Sequence, residues 1–173
     1  VKGNLEVLFL MGADEIDATG TDAFTVYVGH HGDRGAHAAD VILPAAAYTE
    51  KNATYVNTEG RVQFGRLAIF PPGDAREDWT IFRAMAGSMG IELGFDNLVE
   101  LRQAMVQEYP TFAIADTLPG LKPTAAGEAG PIDTTDMKPF IDNYYMTDPI
   151  SRASKTMAEC SSIFVEKTQE KAA

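Results

Sequence analysis

The sequence predicts an α/β protein: a partial, mostly parallel sheet with short connections and flanking helices, followed by a linker and a C-terminal helical tail. Three observations carry this. Residues 5–11, 24–28 and 41–43 are nearly continuous apolar runs, each stopped by Gly or Pro. Runs without alternation are the pattern of parallel strands covered on both faces. The stretches between them, 13–23 and 30–40, are too short for a long crossover helix. After Pro71-Pro72-Gly73 the apolar residues change to helical spacing. The resulting division is an α/β lobe over 1–112, an irregular linker over 113–139, and an aromatic segment with a docking helix over 140–173.

Taken in order, the first run reads as a central strand broken only by Glu6, the second ends at Gly29, and the third is ended by Pro44, which cannot donate to a ladder. One or two helical turns fit around Ala36 to Ala39. Residues 54–56 and 62–64 form a short pair around Asn57-Thr58-Glu59-Gly60. Asp74 with Glu77 three residues on gives a capping box for a helix whose apolar stripe is Trp79, Phe82, Ala86 and Met89. Asp96 is positioned to cap a second helix with Leu98, Leu101, Met105 and Val106 inward, and Pro110 stops it. Bulky hydrophobics nearly vanish from 119 to 139, as in a linker. Asp148-Pro149 then starts a single helix to about residue 165, with Ile150, Ala153, Met157, Cys160 and Phe164 as one apolar seam. Tyr144, Tyr145 and Met146 add large anchors before it; with Ile150 and Met157 they are the expected docking residues. This segment is expected to pack on a distant lobe of the same subunit or on another chain, and the last residues are expected to fray.

The 173 residues carry a formal net charge of −11. Phosphate backbones are repelled, so nucleic acid is excluded as partner. No apolar run approaches the ~20 residues of a membrane span, so direct membrane insertion is not expected. Cys160 is the only cysteine, which rules out an intramolecular disulfide and any Cys-x-x-Cys metal motif and suits a reducing compartment. The chain opens at Val1 almost directly into an apolar strand, the expectation for a processed chain or a piece of a longer polypeptide.

Residues 39–62 are the stretch most suggestive of a site. A strand passes through small residues, Ala45 to Ala47, into Thr49, Glu50, Lys51, Asn52, Thr54, Asn57, Thr58, Glu59 and Arg61. Such loops at the carboxyl ends of strands are where α/β proteins place ligands. Glu50 and Glu59 have the chemistry of an acid and a base, and Arg61 that of an anion clamp, but no Ser-His-Asp or Cys-His set supplies a nucleophile. The competing reading is a hydrogen-bonded loop that fixes the fold. His30, His31 and His37 with Asp33 and Asp40 have metal-ligand chemistry, yet their spacing fits no helical pair or zinc pattern, and loop residues bonded to backbone is the better account. Gly29, Gly32 and Gly35 follow a strand but match neither dinucleotide nor Walker patterns, and Asp33 opposes a phosphate. Cys160 falls on the apolar side of its helix, where an inert buried thiol is expected.

Ala39-Asp-Val-Ile-Leu-Pro44, Thr49-Glu50 and Asn57-Thr-Glu-Gly-Arg61 resemble the signature of the molybdopterin oxidoreductase superfamily. With Gly29-His-His-Gly-Asp33, Pro71-Pro-Gly-Asp-Ala-Arg-Glu-Asp-Trp79 and Tyr145-Met-Thr-Asp-Pro-Ile-Ser-Arg-Ala-Ser154, the resemblance narrows to the carboxyl-terminal part of the large iron–sulfur subunit of respiratory complex I. It covers residues 5–110 and 140–160. The resemblance implies a structural segment of the peripheral arm that supports NADH-to-quinone electron transfer. The implied partners are the amino-terminal remainder of that subunit and other peripheral-arm subunits. The family binds [2Fe–2S] and [4Fe–4S] clusters through amino-terminal cysteines that this sequence lacks, so no cofactor, metal or catalytic residue is assigned here. Glu50, Asn57, Glu59 and Arg61 match the shared signature and receive a fold-fixing role; Glu50, Asn57 and Arg61 are expected to be buried and hydrogen-bonded to each other or to nearby backbone. The tail motif resembles mitochondrial members, which implies the matrix side of the inner membrane; the bacterial cytoplasmic side of the plasma membrane is the alternative. A molybdopterin-binding fragment of a true molybdenum oxidoreductase is the second functional reading.

Overall fold

The computed structural model describes residues 5–13, 16, 18–120, 127, 130–132, 134–137 and 140–166. The chain divides into two units, 1–30 with 34–122, and 31–33 with 123–173.

The first unit is built on strands β1 (Val7–Met11), β2 (Phe24–Gly29) and β3 (Val41–Pro44), all parallel and in the order β1-β2-β3. The three apolar runs are therefore strands, as their composition demands. The first is not central, however. β2 holds the centre and β1 lies at the edge, with Val7 opposite Phe24 and Phe9 opposite Val26. The ladder continues past the strands: Gly12 N–H donates to Val28 O at 2.8 Å and Ala45 N–H to Gly29 O at 2.9 Å. Tyr27, Leu10 and Val28 are the largest fully buried apolar side chains.

The two faces are filled differently. One carries Leu8, Leu10 and Tyr27 and is closed by Ala13, Ala18, Ala36, Ala38 and Ala39 from the short connections, including the single turn α1 (Arg34–His37). Alanines do this because they let loop backbone approach the sheet. Gly29 serves the same close approach: a Cβ there would stand 2.2 Å from the Tyr27 hydroxyl oxygen. The other face carries Val26, Val28, Leu43 and Ala45 under Ile81 and Phe82 of helix α2 (Asp78–Ser88). The Phe9 and Phe82 rings meet at 5.9 Å and 57°. One helix cannot roof three strands, and Val7, Phe9, Met11, Phe24 and Val41 on this face remain 38–54% exposed.

Helix α2 starts three residues later than the expected capping box places it. Asp74 does not cap it; Glu77 holds the N-cap position without a side-chain cap bond. Tertiary pairing overrides the local signal here. Arg76 N–H donates to Pro44 O, and Arg76 O accepts from Ala46 N–H at 2.8 Å, which makes 76 a parallel bridge partner of Ala45 and holds it extended. Of the expected stripe, Trp79, Phe82 and Ala86 are inward, but Met89 is the C-cap and 62% exposed.

Strands β4 (Ala53–Val56) and β5 (Val62–Gly65) form the expected antiparallel pair. Helix α3 (Leu98–Glu108) is capped by Asn97, whose side chain accepts from the amides of Val99 and Glu100, one residue after the expected Asp96. Asp96 instead pairs with Arg83. Leu98, Leu101, Met105 and Val106 are half-buried, as their spacing requires. A 3₁₀ turn (Pro110–Ala113) follows, and Ala115 bridges Val62. The expected linker thus begins with residues tied to the hairpin; most of 121–139 lies outside the described residues.

In the second unit the tail is not one helix. A 3₁₀ turn (Tyr144–Met146) leads to α4 (Pro149–Ala153), then Ser154 at ψ 122° breaks the helix and caps α5 (Lys155–Ser161) by accepting from Met157 N–H. A π-helical turn (Ser162–Glu166) ends it. Serine takes this position because its hydroxyl offers the next helix an N-terminal acceptor. The seam is consequently interrupted: Ala153 and Phe164 are exposed, while Met157 and Cys160 are half-buried. Tyr145 stacks on Phe164 at 6.1 Å and Asn143 Nδ2 donates to the buried Ser161 hydroxyl at 2.6 Å. The fraying expected beyond 166 lies outside the described residues.

Candidate functional site: the loops at the carboxyl ends of the sheet and the signature hairpin

After β3 the chain runs through Ala45, Ala46 and Ala47, at 3%, 0% and 7% exposure. Their three amides are all used inside the chain, by Gly29 O, Arg76 O and the Glu50 carboxylate. Glu50 closes a reciprocal turn: its amide donates to Ala47 O and its Oε2 accepts from Ala47 N–H, both at 2.9 Å. Its carboxylate is committed to backbone and is only half-buried.

The next residues fasten this loop to α2. Lys51 Nζ lies 2.5 Å from Asp78 Oδ2. Asn52 N–H donates to Glu77 Oε1 at 2.9 Å, and the Asn52 side-chain oxygen accepts from Leu67 N–H. The second Glu77 oxygen accepts from the Trp79 indole at 2.6 Å. Sequence reasoning singled out Lys51 and Asn52 but not their anchors, Asp78 for Lys51 and Glu77 for Asn52; for the latter the Glu-x-Trp spacing was the available signal.

Asn57, Glu59 and Arg61 form a separate cluster in the β4–β5 turn. Asn57 Oδ1 accepts from the amides of Glu59 and Arg61 at 3.1 and 3.0 Å, an Asx arrangement that shapes the turn. Gly60 sits at φ +82°, where a side chain is strained. Arg61 pairs with Glu59 and donates through Nη1 to Asp116 O at 2.9 Å. The expected bonding of Glu50, Asn57 and Arg61 to each other or to nearby backbone is present, Glu50 on Ala47 N–H and the other two in the turn, but the expected burial is not: Asn57 is exposed, and Glu50 and Arg61 are half-buried. A two-stranded hairpin has too little mass to bury its own turn. The Glu50 carboxylate accepts from Ala47 N–H, whereas that of Glu59 pairs with Arg61.

His30, His31 and His37 are exposed. Among the described residues no three His, Cys, Asp or Glu side chains are grouped to hold a metal ion. Gly35 is buried where a Cβ would meet Ala13 O and the Tyr27 ring, and Gly32 is at φ +64°, so both glycines answer backbone demands. In the second unit Arg152 pairs with Asp33, a partner 119 positions away that no local pattern announces. Of the docking residues, Tyr144 is 74% exposed, Ile150 is 37% exposed, and Tyr145, Met146 and Met157 are half-buried. Asp148 accepts from the amides of Ile150 and Ser151 and from the Ser151 hydroxyl, and these bonds lower its pKa below the ordinary 3.8.

A pterin cofactor with its phosphate needs open donors at the strand ends. The amides of Ala45, Ala46 and Ala47 are each taken by protein acceptors, and Glu50 brings a negative charge to the same loop.

Comparison with known proteins agrees with the architecture. The family model for molybdopterin oxidoreductase matches residues 1–88, about half of the chain, and that for the C-terminal region of the G-type subunit of NADH-ubiquinone oxidoreductase matches 110–160. The mitochondrial NADH-ubiquinone oxidoreductase 78 kDa subunit of Neurospora crassa is 46% identical over 164 residues, covering 89% of this chain and 22% of that protein. The G-type subunit of the NADH-quinone oxidoreductase of Rickettsia felis is 45% identical over 170 residues, covering 98% and 25%. The NADH-ubiquinone oxidoreductase 75 kDa subunit of Reclinomonas americana is 43% identical over 161 residues, covering 91% and 23%. The chain spans about a quarter of the length of these relatives. It belongs to the molybdopterin oxidoreductase family, in the branch of the large iron–sulfur subunit of respiratory complex I, and corresponds to the carboxyl-terminal part of that subunit.

Proposed function

We propose that this chain is a structural segment of the peripheral arm of complex I, supporting NADH-to-quinone electron transfer without holding a redox centre of its own. One observation carries the reading: five large apolar side chains, Val7, Phe9, Met11, Phe24 and Val41, stand 38–54% exposed on one face of a sheet whose β1 edge is unpaired among the described residues. Such a face and edge call for protein against them. The covering chain is the amino-terminal remainder of the subunit, with neighbouring peripheral-arm subunits beyond it. Its proposed place is the matrix side of the mitochondrial inner membrane, with the cytoplasmic side of a bacterial plasma membrane as the alternative; a relative named as mitochondrial supports the first and a relative from Rickettsia felis keeps the second open. Among the described residues no helix is long and apolar enough to cross a membrane.

The second reading, a molybdopterin-binding fragment, is favoured by the family match over 1–88 and opposed by the committed amides of Ala45 to Ala47. Met11→Glu and Val7→Glu in the complete subunit test the first. Assembly of the complex is expected to fall while NADH:quinone turnover per assembled complex stays unchanged. Normal assembly with lost turnover overturns the structural role. Stoichiometric molybdenum, pterin or iron held by this segment overturns the absence of a redox centre.

A further inference from the structure

Arg102, on α3, is a cation with incomplete surroundings among the described residues. Its guanidinium carbon lies 4.6 Å from the centroid of the Phe64 ring on β5. Its Nε is buried and has no hydrogen-bond partner among the described residues. A buried guanidinium N–H without an acceptor loses its hydration with nothing in return, so such groups are normally paired. The side chain lines two adjoining spaces. One is a cavity of about 190 Å³ walled by Thr54, Phe64, Met105, Val106 and Phe112. The other is an open groove of about 420 Å³ walled by Val99, Gln103, Val106 and Gln107. Apart from Arg102, neither wall contains a charged residue. The chain has 25 acidic and 14 basic residues, and still no carboxylate reaches this arginine among the described residues.

A ring stacked against a guanidinium satisfies its face and leaves its edge, with Nε–H, directed in the plane where a carboxylate binds by two parallel bonds. Arginine suits that pairing better than lysine, which offers a point charge in place of a planar fork. The cavity takes a group of several heavy atoms, since one water's share of volume is about 30 Å³. We propose that Arg102 and the apolar space beside it form a docking socket for an acidic side chain, Asp or Glu, presented by a protein segment outside residues 1–173. The apolar walls receive the stem and neighbours of that residue, and the guanidinium edge receives its carboxylate. The socket goes beyond the complex I reading: it requires only that this face meets other protein, whichever assembly holds the chain.

The test uses the chain in the assembly with which it is isolated. A photo-crosslinking residue at Gln103, on the groove wall, is expected to capture a peptide from outside 1–173 with an Asp or Glu close to the crosslinked position. Arg102→Met is expected to lower retention of the chain under a salt wash at least tenfold, and Arg102→Lys to recover part of it. Exchanging charges, with Arg102→Glu and the captured acid changed to Arg, is expected to restore retention. Crosslinks confined to residues 1–173, crosslinks to a segment without an acidic residue, or crosslinks to lipid or nucleic acid overturn the socket. So does unchanged retention of Arg102→Met. The crosslink is read on a chain with native Arg102, so a folding failure of the variants leaves a decisive measurement in place. Loss of the complex I assignment with an acidic crosslink retained identifies a different host and leaves the socket standing.

Discussion

Glu77 is the residue whose removal has the most calculable effect. Its two oxygens accept from Asn52 N–H at 2.9 Å and from the Trp79 indole at 2.6 Å, in half-buried surroundings. A hydrogen bond to a charged group contributes about 1.5–3 kcal/mol. At this exposure the lower figure is appropriate, so Glu77→Ala is expected to cost about 3 kcal/mol across the two bonds. No capping loss adds to this, because Glu77 makes no side-chain cap bond at the start of α2. At 1.4 kcal/mol per factor of ten, that corresponds to more than a ~100-fold rise in local opening. Glu77→Gln keeps one carbonyl oxygen and turns an NH₂ toward the other donor, so about half the loss, roughly tenfold, is expected. Amide hydrogen exchange at Asn52, with the indole N–H resonance of Trp79 as second probe, reads both variants. Unchanged Asn52 protection in Glu77→Ala, or equal losses for Ala and Gln, refutes the two-bond account.

Other substitutions carry equally definite expectations. Arg61→Ala is expected to cost no more than about 1 kcal/mol, the scale of an exposed pair, against the ~3–5 kcal/mol of a buried one; unfolding midpoints in denaturant decide between them. Gly29→Ala drives a methyl to within 2.2 Å of the Tyr27 hydroxyl, whose ring is 1% exposed, and is expected to cost about 1–3 kcal/mol or more; a wild-type midpoint contradicts this. The Asp148 carboxyl is held below its ordinary pKa chiefly by the Ser151 hydroxyl, so its cap is fully present above the ordinary carboxylate range and is lost as pH falls through the lowered value. Ile150 and Ser151 amide shifts followed from about pH 6 downward are expected to show that transition, and Asp148→Asn to abolish it with the helix retained. Tyr144→Ala, at a side chain 74% exposed, is expected to weaken association without altering the secondary structure of the second unit; circular dichroism and co-purification separate the two effects.

The strands were legible because their signal is burial itself: apolar runs such as Val26 to Val28 have no other use in a sheet of this kind. What sequence misplaced was decided by distant partners. Asp74 and Glu77 spell a capping box, yet the pairing of Arg76 with Pro44 and Ala46 postpones the helix beyond it. The seam from Ile150 to Phe164 has helical spacing throughout, but a serine at 154 gains more by capping than by continuing. β1 reads as central because it is apolar on both sides, and it lies at an edge of the three strands among the described residues because β2 pairs with both of the others. The signature residues were visible as a group, while their exposure was not. Asn57 and Arg61 shape a turn on a small hairpin, and polarity alone does not distinguish turn-making from core-bonding. Arg102 gave no sign, since its partner ring lies 38 positions earlier on another element.

The three consecutive residues 76, 77 and 78 each grip a different point along the chain that leaves β3: Arg76 holds Pro44 and Ala46, Glu77 holds Asn52, and Asp78 holds Lys51. Mechanically this is a row of fasteners loaded side by side. Sliding α2 along the sheet requires all of them to yield together, whereas peeling would break them singly. The chain leaving β3 and the start of α2 are therefore tied at several points at once, and a displacement of either loads the same set of bonds.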